Sequence, residues 1–519
     1  MKRIVGLTMV LAAALAFAQQ GPLVVIQGAE PRTLSPDFAA DTGGYGPTSN
    51  VYCHLVTMDW GVAAGTGAYG DLARSWEVNE DGTVYTFHLY EGVTWHDGMP
   101  VTAADVKFTF DTIIEKNYPY AAYLDGVVEV QAPDDYTVVL VLDQPNASLV
   151  PMMAQGSVWT GKIYPKHLWE DQDGFDSGPY VNDPVGCGPF EFVEWVRGSH
   201  VELKAYENYH RGAPAIPGLI FRAVTDANVA RAEFDAGNIV FLPYDYAPPY
   251  AEAPLLERDP SIQVVHTPSH YSRDIQFNLR REPLNDIRVR QAIAYAIDRE
   301  AISRLGFSGY WEPAYHANVN SQEPWINRNV SFPSFDAAKA NQLLDEAGYP
   351  RGADGWRFSL SVTGPTYSDC RAIVEVLVQQ LRAVGINAVW DQYDQATWFT
   401  NMQQGNFDIS CYFTRYGPDP SAYDEHFSTG GPRNFMGYSN PELDQLAELG
   451  KRTTNEEERK RIYDRIQEIL VEDLPYINLF NEEKMSLIRA GWQGFNIQET
   501  GYNKSMTWFG FYAVEPPSQ

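Results

Sequence analysis

The most informative part of the chain is residues 277–299, which read FNLRREPLNDIRVRQAIAYAIDR. Apolar side chains recur there every three to four residues, at Val289, Ala292, Ile293 and Ala296. This spacing predicts an amphipathic helix that turns one face toward a hydrophobic core. The segment therefore indicates a folded, helix-containing second half of the chain.

Three more helices are predicted in that half, each with an identifiable start or end. Asp336 can cap a helix that closes at Gly348, and a helix over residues 373–384 closes at Gly385. Asn455 precedes the third helix, whose first turn holds three glutamates where the helix dipole favours negative charge.

The first half of the chain consists mainly of short strands and turns. Alternating residues that follow turn signals predict strands over residues 84–89 and 137–142. Thr102 is the predicted N-cap of a helix from Ala103 to Ile114, with Asp105 completing an acidic capping pattern. These elements together predict a mixed α/β protein with two lobes.

The composition excludes several classes of protein. The chain has 519 residues, 38 of them Lys or Arg and 67 Asp or Glu, so the formal net charge is -29. With 13 tryptophans and 31 tyrosines it is too rich in aromatic residues to be mainly disordered. A nucleic-acid partner is excluded as well, because such a partner requires a basic surface.

The N-terminus predicts export. Two basic residues are followed by an apolar stretch over residues 4–15, and Ala16-Phe17-Ala18 supplies a small-x-small cleavage site after Ala18. The first cysteine is Cys53, so no lipid-anchored cysteine follows the signal. We therefore expect a soluble periplasmic protein without a lipid anchor.

Export makes the four cysteines candidates for disulfides, because disulfides persist in oxidising compartments. Four cysteines allow three complete pairings. Pairing within each half of the chain, Cys53 with Cys187 and Cys370 with Cys411, is the prediction, and free buried thiols are the alternative.

Motifs for catalysis are missing from the sequence. There is no GxSxG elbow, no P-loop lysine and no HExxH, and no clustered His or Cys that would hold a metal. A GxGxxG match at residues 65–70 is followed at once by Asp71, which would repel phosphate, so we interpret it as a loop. We expect neither a catalytic residue nor a cofactor. An exported hydrolase stays as a remote alternative, because the many carboxylates leave a glycosidase-type pair open.

Several separate motifs carry a resemblance to a known family. They read ARSWEVNEDG at 73–82, TAADVKF at 102–108, VGCGPF at 185–190 and LLDEAGY at 343–349, in addition to residues 277–299. In this order they resemble the family 5 extracellular solute-binding proteins, the peptide and nickel group of ATP-binding-cassette importers. Cys187 stands where this family usually has threonine, which supports a local disulfide.

The resemblance implies a two-lobe architecture of the periplasmic-binding-protein type (class II). Lobe 1 would comprise residues 19–50, 181–268 and 480–519, with an inserted subdomain over 51–180. Lobe 2 would run from 269 to 479, and two chain crossings near His270 and Phe480 would form the hinge. A ligand would bind between the lobes of a monomer, which would deliver it to a membrane permease.

The resemblance also implies one carboxylate that binds a peptide's α-ammonium. Asp419 matches the family's Asp-Pro position, and a turn aspartate before proline is the competing interpretation. Arg415 is expected to pair with Asp419 or with a ligand carboxylate, a surface arginine being the alternative. Tyr416 lies in the same loop and is a further candidate.

Other candidates for ligand contact are a glutamine and six aromatic residues: Gln395, Trp398, Tyr45, Trp159, Tyr271, Tyr412 and Trp508. A single tryptophan is more often a core residue than a pocket residue. Aromatic rings suit apolar peptide side chains, and they also stack on sugars. Di- or oligopeptides are therefore the predicted ligands, β-linked oligosaccharides are the alternative, and nickel is disfavoured.

Overall fold

A computed structural model describes residues 21–39, 43–58, 68–157, 160–317, 325–415, 419–495, 511 and 514–517. The predicted signal segment, residues 1–18, lies outside the described residues. In the described part of the chain, none of the helices combines the length and the apolar character needed to cross a bilayer.

The described strands are short except for two. In chain order they are β1 Leu23–Gln27, β2 Val56–Met58, β3 Ala68–Gly70, β4 Ala73–Val78, β5 Val84–Leu89, β6 Val127–Asp134, β7 Thr137–Leu142, β8 Phe190–Val196, β9 His200–Ala205, β10 Gly218–Ala223, β11 Phe241–Leu242, β12 Ile262–Phe277, β13 Phe358–Pro365, β14 Ile386–Tyr393, β15 Ile409–Arg415 and β16 Tyr476–Arg489.

Longer helices are concentrated in the second half. In chain order the α-helices are α1 Tyr45–Val51, α2 Ala103–Lys116, α3 Leu149–Ser157, α4 Lys166–Trp169, α5 Ala227–Asp235, α6 Ala253–Leu256, α7 Ile287–Ala296, α8 Arg299–Phe307, α9 Ala337–Glu346, α10 Ser368–Ala383, α11 Gln395–Gln404, α12 Asp424–Phe427, α13 Pro441–Arg452 and α14 Glu456–Asp473.

The predicted starts of α2 and α9 and the predicted end of α9 are confirmed, whereas α2 runs on to Lys116 and α10 begins earlier than expected, at Ser368. The backbone N–H of Thr102 donates to Asp105 Oδ2 at 2.8 Å, which completes a capping box at the start of α2. Asp336 Oδ1 accepts from the N–H of Lys339 at 2.9 Å. Gly348 ends the α9 segment with a φ of +93°, a conformation that glycine adopts without strain.

The strands form four sheets. Their orders are β1-β10-β9-β8, β4-β5-β7-β6, β2-β3 and β11-β16-β12-β15-β13-β14. The first sheet has one parallel pair, β1 with β10, and the six-stranded sheet is parallel where β13 meets β14 and β15. Mixed sheets flanked by helices confirm the α/β prediction.

Strands β12 and β16 are long enough to run through two parts of the molecule. They pair antiparallel over nearly their full length, from Ile262 opposite Arg489 to Gln276 opposite Tyr476. The register shifts between Pro268 and Ser272, which interrupts the regular ladder. In the described residues, β12 also pairs with β15, from Tyr271 opposite Arg415 to Phe277 opposite Ile409.

Buried apolar side chains group into separate cores that follow stretches of sequence. One core lies within residues 53–187 and a second within residues 275–480. Two smaller cores combine residues 23–52 with residues 190–256 and 487–514. The last pair of cores is therefore assembled from three distant parts of the chain.

The cysteines follow the prediction in the first half only. Cys53 and Cys187 form a disulfide, with a Cα–Cα distance of 5.4 Å. Cys370 and Cys411 are free and buried, so the second expected disulfide is absent. The two thiols are neighbours: a hydrogen bond with Cys370, together with burial, raises the pKa of the Cys411 thiol.

Candidate functional site

A cluster of charged and aromatic side chains surrounds the register shift between β12 and β16. We call it the β12–β16 cluster, and it comprises Tyr244, Asp245, Tyr271, Arg273, Tyr367, Asp369, Glu482 and Lys484. Its members come from four separate stretches of sequence. The long strands β12 and β16 bring these stretches together.

Ion pairs hold the buried part of this cluster. Arg273 pairs with Asp369, and its Nη2 lies 2.7 Å from Glu482 Oε1. Lys484 Nζ lies 2.6 Å from the same Glu482 oxygen. Burial alone would lower the pKa of Arg273, but the two carboxylates raise it above its ordinary value. Two cations and two carboxylates therefore stabilise one another where water is largely excluded.

The rest of the cluster faces solvent. Asp245 is exposed, and Tyr367 is 37% exposed. Lys484 Nζ lies 4.1 Å from the ring centroid of Tyr244, a cation–π contact. Tyr271, one of the predicted ligand-binding residues, is half-buried and packs edge-on against Phe413 with ring centroids 5.7 Å apart. The surface thus offers tyrosine rings and the Asp245 carboxyl to a ligand, with the ion-paired ammonium of Lys484 partly buried beside them.

A second buried carboxyl, Asp274, lies next to Arg273 in β12. Asp274 Oδ1 accepts a hydrogen bond from the N–H of Thr414 at 3.0 Å, and Oδ2 accepts one from Gln276 Nε2 at 3.4 Å. These hydrogen bonds lower the pKa of Asp274, but burial has the larger effect and raises the pKa to about 7. This carboxyl therefore changes its charge near neutral pH.

Asp419 is fully enclosed by protein groups. Its Oδ2 accepts from Arg459 Nη1 at 2.6 Å, and its Oδ1 accepts from Arg459 Nη2 at 2.7 Å and from the N–H of Ser421 at 2.9 Å. Burial raises the pKa of Asp419, but the charge of Arg459 outweighs it and the pKa lies below its ordinary value. Among the described side chains its partner is Arg459, which α14 brings into the core beside the Asp-Pro turn. The expected pairing with Arg415 stays a prediction, because the side chain of Arg415 lies outside the described residues. The expected ligand contact of Asp419 stays a prediction.

Arg459 also contacts the first half of the chain. Its Nη2 donates to Ser148 Oγ at 2.8 Å, and close by the N–H of Ala147 donates to the carbonyl of Lys451 at 2.8 Å. These bonds join the stretch before α3 to α13 and α14. They form a contact between the part of the chain predicted as the inserted subdomain and the part predicted as lobe 2.

Two predicted pocket rings lie in the hydrophobic core. Trp398 is fully buried, and its indole N–H donates to Ser410 Oγ at 3.0 Å. Tyr412 is buried beside it, with ring centroids 5.5 Å apart. Their location differs from the ligand-facing one expected, because the apolar faces of α11 and β15 pack against each other there. Gln395 is exposed at the first position of α11.

Of the five remaining candidates, the structure describes the side chain of one. Tyr45 is half-buried at the first position of α1. Tyr416, Trp159 and Trp508 lie outside the described residues, and so does the side chain of Arg415. The structure therefore brings Tyr271 into the β12–β16 cluster and leaves the ligand contacts of the other candidates as predictions.

Most of the β12–β16 cluster was missed by sequence reasoning. One signal was available: Arg273 and Asp274 place opposite charges in the middle of a strand-like stretch, which is unusual for a buried strand. Their partners gave no local signal, since Glu482 lies 209 positions from Arg273. In the described residues, this cluster contains no set of three metal-ligating side chains in mutual reach.

Comparison with known proteins gives consistent matches over most of the chain. Residues 67–434 match the model of the bacterial extracellular solute-binding proteins, family 5. The chain is 28% identical over 520 residues to the glutathione-binding protein GsiB of Escherichia coli (strain K12), covering 96% of each protein.

Solved structures share the fold. The ABC transporter substrate-binding protein CtaP (Lmo0135) from Listeria monocytogenes superposes with a TM-score of 0.85 at 24% identity, over 96% of this chain and 99% of that one. The oligopeptide-binding protein AppA from Bacillus subtilis, in complex with a nonapeptide, gives a TM-score of 0.75 at 24% identity with the same coverage.

Proposed function

Since the chain belongs to family 5 of the bacterial extracellular solute-binding proteins, we propose that it captures di- or oligopeptides between two lobes for an ABC importer. Proteins of this family are extracellular or periplasmic transport components that bind a solute and pair with a membrane permease, and they are not enzymes. The peptide ligand, the cleavage of a signal after Ala18 and a monomeric state without a lipid anchor are parts of the proposal.

The proposed lobes keep the boundaries expected from the sequence. Lobe 1 comprises residues 19–50, 181–268 and 480–519, the inserted subdomain 51–180, and lobe 2 residues 269–479. The separate hydrophobic cores support this division, since each lies largely within one of these parts. The register shift between Pro268 and Ser272 supports a hinge there, because an interrupted ladder bends more easily than a regular one.

Closure of the lobes is supported by contacts away from the proposed hinge. The bonds from Arg459 to Ser148 and from Ala147 to Lys451 connect the inserted subdomain with lobe 2. Contacts of this kind lower the free energy of the closed form. We propose that they form when the lobes close over a ligand.

The observation that carries the peptide assignment is the mixed charge of the β12–β16 cluster. A peptide has an ammonium and a carboxylate at its ends: the ammonium would lie near the exposed Asp245, and the carboxylate would share the partly buried Lys484 with Glu482. A neutral oligosaccharide needs neither charge. The relative GsiB is named for glutathione, a small peptide that carries both signs, which is consistent with this assignment. Oligosaccharides are the second candidate, because the solvent-facing tyrosines suit stacking on sugar rings.

Calorimetric titration tests the assignment with a panel of short peptides, including glutathione, and of β-linked oligosaccharides. We expect binding to a subset of the peptides. Tyr367→Ala should weaken it about tenfold, because an aromatic contact at the ligand is lost. Tyr90→Ala is the matched control, since Tyr90 is 38% exposed, Tyr367 is 37% exposed, and Tyr90 lies outside the cluster. Binding of oligosaccharides alone would contradict the peptide assignment.

A further inference from the structure

The hairpin formed by β8 and β9 gathers three potential metal ligands outside the site described above. Glu194 on β8 lies directly opposite Glu202 on β9. His200 precedes Glu202 by two positions, so the two side chains project from the same face of the strand. Two carboxylates and one imidazole thus share one face of a two-stranded ribbon.

The distances between these groups suit a shared cation. His200 Nε2 lies 3.7 Å from Glu194 Oε1 and 3.9 Å from Glu202 Oε2, and all three ligand atoms lie within 4.8 Å of one another. Both distances are longer than a hydrogen bond. A zinc ion with bonds of about 2.0–2.2 Å separates tetrahedral ligand atoms by roughly 3.3–3.6 Å. Small side-chain rotations would bring the three ligand atoms from their present distances to these separations.

The imidazole of His200 is already oriented by a neighbour. Ser199 Oγ lies 2.9 Å from His200 Nδ1, which holds the ring with Nε2 facing the carboxylates. A hydrogen bond at the second ring nitrogen is the usual support of a metal-ligating histidine. The Glu194 and Glu202 side chains are 54% and 32% exposed, so water can complete the coordination.

We propose that Glu194, His200 and Glu202 bind one divalent transition-metal ion of the zinc class at the surface of this hairpin. The imidazole nitrogen favours such ions over magnesium and calcium, which prefer all-oxygen sites. The site lies on the β1-β10-β9-β8 sheet, separate from the β12–β16 cluster, and it is independent of the peptide proposal.

Titration of the chelator-treated, full-length protein with ZnCl₂ tests this site. We expect one zinc ion per protein and a loss of affinity of at least about tenfold in His200→Ala and in Glu202→Gln, because each removes a ligand. His88→Ala is the matched control: His88, like His200, is half-buried, and among the described residues it faces one carboxylate only, with Nε2 3.7 Å from Glu77 Oε1. The control should bind zinc as the wild type does.

X-ray absorption at the zinc edge gives a second, independent readout. The proposal predicts one imidazole and otherwise oxygen ligands, with the imidazole signal lost in His200→Ala. Far-ultraviolet circular dichroism verifies that the variants are folded. Equal zinc affinity in the wild type and in His200→Ala, or no stoichiometric binding to the wild type, would overturn the proposal.

Discussion

Replacement of Asp419 by asparagine is expected to lower the free energy of unfolding by about 3–5 kcal/mol, because it leaves Arg459 charged and buried without its carboxylate. Both oxygens of Asp419 accept hydrogen bonds from Arg459, at 2.6 and 2.7 Å, and the aspartate is only 1% exposed. The asparagine retains one acceptor but cannot neutralise the guanidinium. Urea unfolding monitored by tryptophan fluorescence measures the loss.

An exposed ion pair on α14, the helix that carries Arg459, provides the control. Arg461 and Glu457 lie 3.5 Å apart with side chains 74% and 87% exposed, so Glu457→Gln should cost less than about 1 kcal/mol. The double variant Asp419→Leu/Arg459→Leu should regain much of the stability lost in Asp419→Asn, since no buried charge stays unpaired. If Asp419→Asn is as stable as Glu457→Gln but loses ligand affinity, Asp419 acts on the ligand and not on the fold.

Asp274→Asn is expected to make the protein more stable at pH 8 while leaving its stability near pH 4.5 almost unchanged. The pKa of Asp274 is about 7 in the folded protein and roughly 3.9 in an unfolded chain. Its neutral carboxyl therefore contributes stability in acid, and this contribution is lost as the pH rises through 7. The wild type should lose about 3 kcal/mol relative to the variant between pH 4.5 and pH 8.

Asparagine fits the site that it enters. Its oxygen can keep the hydrogen bond from Thr414, and its amide can donate to Gln276 Oε1, which accepts no hydrogen bond from the residues that the structure describes. Asp171→Asn serves as the control, because Asp171 is exposed and its substitution should not alter the pH dependence. Denaturant unfolding at pH 4.5 and pH 8 measures the free energy of unfolding of both proteins. If that free energy changes with pH in the same way in Asp274→Asn and in the wild type, Asp274 is ionised at both pH values and the prediction is wrong.

Local sequence signals were sufficient for most of the secondary structure. The caps at Thr102, Asp336 and Asn455 lie where expected, because each depends on a side chain that bonds to backbone within three residues. Strand β5 has the predicted bounds, since its alternation and preceding turn are also local. The predicted strands and helices together indicated the α/β class, and the family motifs added the proposed order of the lobes.

Tertiary partners could not be inferred in the same way. Asp419 was identified from its Asp-Pro context, but its partner Arg459 lies 40 positions away, on α14. Trp398 matched a stretch associated with ligand binding, although its position on the apolar face of α11 places it in the core. The β12–β16 cluster combines four stretches of sequence, and only the pairing of two long strands shows that they meet.

Native mass spectrometry of the protein, purified from its source without denaturant, identifies the ligand that the molecule carries. Closed solute-binding proteins retain ligand when dissociation is slow. The proposal predicts bound masses that fragment into amino-acid residues and that are released when the protein unfolds. Bound masses that differ by hexose increments would contradict the peptide assignment.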